Sequence, residues 1–339
     1  MIGVDIGTTS IKIVELMKDK RLLNYGILET SGYLERFNTA IQTSTLNLFE
    51  QEAVNYLRIL LGRMKLSGKE REVIVSLPSF AAFTTLIEMP VMSEADTIKT
   101  MGIHVKRYVP IPISSATLDW LKVGELVDEE GNKKQQLFLI AVATTQIENY
   151  KRIFKAAGLK LIALEIEGLS LARILSLLPS QGKNLIVDIG SRSTALSVIE
   201  NGFLKFSSQT DFAGASLTQS LASGLNIAAR RAEQLKRQKG LSAMNSGAER
   251  ELSTQLLPIL DVIINEAKRV ADSHLVKAVV LSGGGANLLG IEKYFSHQIG
   301  LPVSKIDALS AVGYSENLEA IRGNLGPVLA VAIGLALRN

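Results

Sequence analysis

The sequence predicts an α/β protein made of two similar halves that face each other across a cleft, and three stretches carry that reading. In residues 1–16, Ile2, Val4 and Ile6 form a short apolar run with the pattern of a buried strand. Gly7-Thr8-Thr9-Ser10 is a turn of small and hydroxyl residues, and Ile11–Leu16 resumes as a second strand, giving a hairpin with Asp5 just before its tip. Val187-Asp188-Ile189-Gly190-Ser191-Arg192-Ser193 repeats Val4-Asp5-Ile6-Gly7-Thr8-Thr9-Ser10, again between apolar runs, and two like hairpins far apart imply two like halves. The third stretch, Val279–Gly290, reads as a strand, the triple glycine Gly283-Gly284-Gly285 and the start of a helix.

Each element suits anion or nucleotide chemistry. A tight tip exposes backbone N–H groups and hydroxyls that can wrap a phosphate, and a carboxylate beside it can orient the water shell of Mg²⁺. The glycines let backbone approach a flat ring or a ribose. One Gly-Thr-Thr hairpin with an edge Asp reads first as a plain turn; the repeat and the glycine loop add the functional meaning.

The bulk properties narrow the field. With 339 residues and 47% hydrophobic composition the chain is long enough for two domains with real cores. It has no cysteine, which excludes disulfides, thiolate zinc sites and cysteine nucleophiles and fits a reducing cytoplasm. His104, His274 and His297 are scattered without metal-ligand spacing. A net charge of +4 without a long Lys/Arg block does not imply nucleic acid and gives a weak preference for an anionic membrane face. The first strand begins at once, leaving no room for a signal peptide, and no apolar run approaches the ~20 residues that span a bilayer. The longest candidate, Val328–Leu337, reads as a packed helix. The P-loop spacing GxxxxGK[ST] and the dinucleotide fingerprint GxGxxG are both absent.

Along the chain, helical spacing of apolar residues predicts a helix over Leu46–Leu66, and Val73–Leu77 is a buried strand closed by Pro78. Phe83–Met89 is a strand, and Ser93 caps a helix reaching Val109 with Glu94 and Asp96 in its first turn. Thr117–Val123 and Gln136–Thr144 are strands, Gln146–Ala157 a helix and Leu159–Ile166 a strand, together forming a compact unit inserted between the hairpins. Gly168–Leu178 is a helix; its Gly168-Leu169-Ser170 start lacks the final glycine and partners of a nucleophile elbow. Gly214 opens another helix, Glu233 and Lys236 stand at i, i+3 on a charged one, and a long helical stretch over Ala248–Leu275 is expected to break near Pro258.

The order DxGTTS, DxGSxS, LSGGGANLxG resembles the nucleotide site of the actin and sugar-kinase superfamily. The resemblance implies an actin-like (ribonuclease H-like) two-domain α/β fold, each half a mixed five-stranded sheet flanked by helices. It divides the chain into a first domain of residues 1–78, 163–185 and 326–339, an inserted subdomain of 79–162 and a second domain of 186–325. It implies ATP with Mg²⁺ in the cleft, with Asp5 and Asp188 orienting the metal's water shell. Phosphates would be held by Gly7, Thr8, Thr9, Ser10 and Lys12 on one side and Gly190, Ser191, Arg192 and Ser193 on the other. Gly214 would lie near the sugar-phosphate, Glu233 and Lys236 near ribose and adenine, and Gly283, Gly284, Gly285, Asn287 and Leu288 at the adenosine. No obvious base for activating water appears apart from Glu167, so slow hydrolysis or none is expected.

Within the superfamily the inserted unit resembles that of the type IV pilus assembly family PilM, a relative of the cell-division protein FtsA. Val75-Ser76-Leu77-Pro78, Arg107–Pro112, Leu118-Asp119-Trp120, Val142-Ala143-Thr144, Lys155–Leu159 and Leu171-Ala172-Arg173 carry the likeness, together with the ending Gly326–Arg338. Phe37–Asn47 matches nothing in it. The resemblance implies a cytoplasmic, ATP-binding scaffold, peripheral at the inner face of the cytoplasmic membrane. It implies docking of the cytoplasmic N-terminal segment of a PilN-like bitopic membrane protein, with other pilus platform proteins, motor ATPases and self-association as further contacts. The expected groove lies between the inserted unit and the first domain, lined by Phe80, Phe83, Tyr108, Ile111 and Ile113. Alternatives are an FtsA-like membrane tether, which would end in an amphipathic helix, and a small-molecule kinase, which would turn ATP over in response to its substrate.

Overall fold

The computed structural model describes residues 1–29, 50–67, 71–179, 182–241 and 247–338; Phe37–Asn47 lies outside these. The chain opens with β1 (Ile2–Ile6), β2 (Ser10–Leu16) and β3 (Leu22–Glu29), an antiparallel meander whose first two strands are almost wholly buried. Helix α1 (Glu50–Arg63) buries Ala53, Val54, Leu57, Leu60 and Leu61 on one face, and leads into β4 (Glu72–Leu77), parallel to β1.

Beyond β4 and a 3-10 turn at Ser79–Ala81 come β5 (Ala82–Pro90) and α2 (Glu94–His104). Ser93 caps α2, its Oγ accepting from the Asp96 amide at 3.2 Å. The helix stops before the expected Val109, continuing only as a 3-10 turn at Val105–Arg107. Strands β6 (Ala116–Val127) and β7 (Lys133–Ala143) complete a three-stranded antiparallel sheet in the order β5-β7-β6. Its core of Ile87, Met89, Met101, Val105, Val109, Leu137, Leu139 and Ala141 is separate from the larger ones.

Helix α3 (Thr144–Ala156) and β8 (Lys160–Ile166) leave that unit, contrary to the expected compact insertion. Strand β8 pairs parallel with β4, closing the first sheet as β3-β2-β1-β4-β8, and Tyr150, Ile153 and Phe154 of α3 pack into the core beneath it. Leu161, Ala163 and Leu164 find more apolar cover there than a fourth strand on the small sheet would offer.

Helix α4 (Glu167–Leu177) carries the chain to the second half, where β9 (Lys183–Ile189), β10 (Thr194–Glu200) and β11 (Phe203–Thr210) repeat the meander. Helices α5 (Gly214–Gly224), α6 (Ala229–Lys239) and α7 (Gly247–His274) follow. The expected break at Pro258 does not occur: α7 runs through it, because Leu256, Leu260, Ile263 and Ile264 are all buried in the second core. That burial outweighs the ~3 kcal/mol a mid-helix proline costs. Strand β12 (Ala278–Ser282), α8 (Ile291–Ile299) and β13 (Val303–Lys305) complete a second five-stranded sheet, β11-β10-β9-β12-β13. The two sheets share one topology, as the repeated hairpins require.

The last helix, α9 (Arg322–Ala336), is apolar all round and lies under the first sheet, against α4. With the 3-10 turn before it, Glu316–Ala336 is long and apolar enough to cross a membrane by length and composition, at a mean hydropathy of 1.3. The sequence run alone suggested a shorter element; here it is a core helix. Its backbone touches both neighbours: a Cβ on Gly3 would stand 2.1 Å from Ala332 O, and one on Gly334 2.3 Å from Ser170 O. Arg173 of α4 donates to both carboxylate oxygens of buried Glu165 and to Gly334 O, pinning α4, β8 and α9 together. The Leu171-Ala172-Arg173 motif thus has a structural part to play.

Candidate functional site: a cleft between paired hairpins

The two hairpin tips close with the same bond, Gly7 N to Ser10 O at 2.9 Å and Gly190 N to Ser193 O at 3.1 Å. Each tip carries its aspartate at the end of the strand before it. Asp5 faces Lys12 across the antiparallel pair, and Lys12 Nζ donates to Asp5 Oδ2 at 2.7 Å. Ser76 Oγ, on the parallel neighbour β4, donates to Asp5 Oδ1 at 2.8 Å and accepts the Ile6 amide at 3.2 Å. Asp188 has a like serine, Ser282, paired in register on β12, but the residue opposite it in the hairpin is Ala195. The cross-strand partner of the aspartate is therefore a cation in the first hairpin and a methyl group in the second. By distance and angle neither Asp188 Oδ1 nor Ser282 Oγ closes a hydrogen bond, and both are buried.

The electrostatics follow from that asymmetry. Burial pushes the Asp188 carboxyl up to about 6, Asp5 adds to the rise, and Ser282 and Lys12 offset part of it. Glu167, at the first turn of α4, is raised well above the usual carboxylate range by burial, then by Asp188 and Asp5. Burial disfavours the Lys12 ammonium, but Asp5, Asp188 and Glu167 more than compensate and hold its pKa above the ordinary value. Three acids thus share one ammonium, an arrangement that a divalent cation would relieve. Among the described residues no group of three such side chains is placed to ligate a metal directly.

The other site residues fall into two groups. Gly214 N donates to Gly190 O at 3.0 Å, seating the start of α5 on the second tip. Lys236, buried on α6, donates to Gly214 O at 2.8 Å, to Thr218 Oγ1 at 2.8 Å and to Glu233 Oε2 at 2.6 Å. Burial works against the Glu233 carboxylate, but Lys236, Thr218 and Arg237 together hold it down at about 2. The expected pair is thus a partly buried network. Arg237 also reaches Glu29 of β3 at 3.2 Å, an exposed contact that bridges the two halves beside Ser10.

At the glycine loop, Gly283 has a φ of +78°, and a Cβ there would stand 2.8 Å from Asp188 Oδ1. A Cβ on Gly285 would stand 2.2 Å from the Ile189 side chain, whereas one on Gly284 meets nothing within 4 Å. The loop is therefore packed on one side and open on the other, as a ring-binding surface needs to be. Asn287 donates through Nδ2 to Asn324 O at 2.8 Å, and its Oδ1 is buried without a partner. Leu288 does not face the cleft; it is buried in the second core, where its bulk is worth more than in contact with a ligand. Thr8, Thr9, Ser10, Ser191, Arg192 and Ser193 are half-buried at the tips. The orphaned carboxylate oxygen, the surplus of acids and the open face at Gly284 fit a nucleotide with its cation.

Sequence reasoning missed Ser76 and Ser282 as a matched pair. The signal was present: each follows the apolar run of a strand that neighbours a hairpin. Of the expected groove residues, Phe83, Ile111 and Ile113 are partly buried and pack against the small core of the inserted unit. A three-stranded sheet with one helix has too few apolar residues to spare them. Phe80 is half-buried in the turn against β11, and Tyr108 is 41% exposed.

The chain is similar to FtsA of Bacillus subtilis, 24% identical over 45% of this chain and 40% of that protein, so this alignment spans less than half of the relative's length. It is also similar to FtsA of Enterococcus hirae, 23% identical over 94% of this chain and 84% of that protein. Among solved structures it resembles a PilM–PilN type IV pilus biogenesis complex, with a TM-score of 0.81, 21% identity and coverage of 99% of this chain and 97% of that one. The ethanolamine utilization protein EutJ of Carboxydothermus hydrogenoformans follows with a TM-score of 0.62, 18% identity and coverage of 99% and 88%. MreB5 of Spiroplasma citri bound to ADP gives 0.56, 16% identity and coverage of 98% and 94%. The fold is therefore actin-like. The family described as type IV pilus assembly protein PilM matches residues 3–339, and the chain belongs to that family.

Proposed function

We propose that the chain is an ATP-dependent scaffold of the type IV pilus assembly platform: Mg-ATP in the cleft holds the two halves together while the inserted unit docks a membrane partner. The observation that carries the nucleotide reading is the partnerless Asp188 Oδ1 beside Lys12, Asp5 and Glu167. In this reading Asp5 and Asp188 orient the cation's waters. The tips Gly7–Ser10 and Gly190–Ser193 with Lys12 bind phosphates, and Gly214, Glu233, Lys236 and the open side of Gly284 receive the nucleoside. Bound Mg²⁺ would supply positive charge to a cleft with too little of it. Glu167 is held toward its neutral form, which supports slow turnover or none.

The partner is a PilN-like bitopic membrane protein, supported by the likeness to a PilM–PilN complex. Its N-terminal segment docks in extended form on the inserted unit near Tyr108, and this contact keeps the chain at the inner face of the cytoplasmic membrane. Calorimetry tests both parts. Mg-ATP is expected to bind and EDTA to abolish binding, and a PilN N-terminal peptide is expected to bind in the presence of Mg-ATP. No heat with Mg-ATP overturns the nucleotide reading; no heat with the peptide overturns the partner.

A further inference from the structure

The inserted unit joins the first sheet through a narrow neck. The chain leaves β4 at Leu77 for the inserted unit, and Leu77 is the register partner of Ile166, the last residue of β8 in the same first sheet. The next groups on either side meet: the Ser79 amide donates to Glu167 Oε2 at 3.3 Å. The turn that enters the inserted unit is therefore held by a carboxyl group that also feels the charges of Asp188, Asp5 and Lys12. Ser79 opens the turn that carries Phe80 and packs on β11 of the second half.

We infer that Glu167 is a positioning residue that relays occupancy of the cleft to the inserted unit through the Ser79 amide. The inference rests on the nucleotide reading above. At 3.3 Å the bond to Ser79 is long and weak, so a better donor can displace it. A hydrated dication held by Asp5 and Asp188 would offer such donors, because its polarised waters donate more strongly than a backbone amide. Glu167 then turns toward the cleft and frees the Ser79 amide. The turn at Ser79–Ala81 loosens, and with it the seat of Phe80 between the inserted unit and β11. One side chain thereby has two alternative partners, which is the two-state element that coupling between sites requires.

The test is hydrogen exchange of residues 78–84 in the full chain, with and without Mg-ATP at saturation, each variant's saturation being set by its own calorimetric titration. In the wild type, Mg-ATP is expected to speed exchange there about fivefold or more, the size of a local opening about 1 kcal/mol easier. Glu167→Gln keeps an acceptor for Ser79 but is a weaker partner for the cation's waters than a carboxyl group, so exchange is expected to stay slow in both states. Ser79→Pro removes the donor at the first position of the turn, where proline is tolerated and the cleft is untouched, and is expected to be fast in both states. Calorimetric binding with no change of exchange in the wild type overturns the relay alone, as does a full change in Glu167→Gln. No calorimetric binding of Mg-ATP overturns the nucleotide reading and the relay with it.

Discussion

Lys12 Nζ stands 2.7 Å from Asp5 Oδ2, on the residue directly opposite it in the first hairpin. Its side chain is 14% exposed and that of Asp5 5%, so the pair is largely shielded from water. Removing one member of such a pair leaves the other charge buried and uncompensated. Lys12→Met is therefore expected to cost ~3 kcal/mol of stability in urea denaturation, whereas adding Asp5→Asn to it should recover much of the loss. An equal loss in the double variant would show that shape, not charge, dominates. Nucleotide affinity should fall in both variants, because the phosphate cation is lost in each and the metal-orienting carboxylate in the double one.

Asp188 lacks the cation that Asp5 has, and its folded pKa lies near 6 against an ordinary 3.8. A carboxyl raised on folding keeps its proton longer in the native state, so its ionisation destabilises the fold. That penalty is absent below about pH 4, grows as pH rises through 6 and is complete above it. Asp188→Asn is thus expected to raise the thermal midpoint of the ligand-free protein at pH 7.5 but not at pH 4. Saturating Mg-ATP should stabilise the wild type by mass action, about 2.7 kcal/mol at a hundred times Kd, and the variant much less. A gain that is equal at both pH values would remove Asp188 ionisation as its cause.

The halves and the site were legible in the sequence because the same string occurs twice, and a repeated strand-turn-strand fixes position without knowledge of packing. The asymmetry at Lys12 and Ala195 was equally present in the letters, yet its meaning depends on cross-strand register, which pairs residue 5 with 12 and 188 with 195. Ser76 and Ser282 were hidden for a similar reason: parallel neighbours such as β4 and β12 are set by topology. Burial was the least legible property. Leu288 looked like part of a ligand loop, but its apolar side chain is buried in the second core, and Phe83, expected at a groove, is partly buried against the small core. The path of α3 and β8 failed likewise, since edge-strand pairing on one of two nearby sheets is decided by which offers more apolar cover.

The glycine loop separates a binding effect from a folding effect at adjacent positions. A Gly284 Cβ meets open space, so Gly284→Ala should leave stability within ~0.5 kcal/mol, while Gly284→Glu should keep the fold and weaken nucleotide binding by filling the cleft. Gly285→Ala would instead drive a methyl group into Ile189 and should cost ~1–3 kcal/mol in thermal or urea unfolding. Unchanged ATP affinity in Gly284→Glu would move the nucleoside away from this loop.

The docking surface gives the last prediction, in which two aromatics of the inserted unit should behave differently. Tyr108 follows the turn after α2 and is 41% exposed, while Phe83 packs against the core of the inserted unit. A contact residue for an extended peptide must keep apolar surface free in the unbound protein, and tyrosine pairs such surface with a polar tip. Tyr108→Ala is therefore expected to weaken binding of a PilN N-terminal peptide about tenfold while leaving the thermal midpoint unchanged. Phe83→Ala should lower the midpoint by removing a partly buried ring from a small core, and should affect the peptide only through that loss. Trp120, half-buried against the same core, provides a fluorescence signal for both events. Peptide affinity untouched by Tyr108→Ala, with binding otherwise intact, would place the docking surface elsewhere on the molecule.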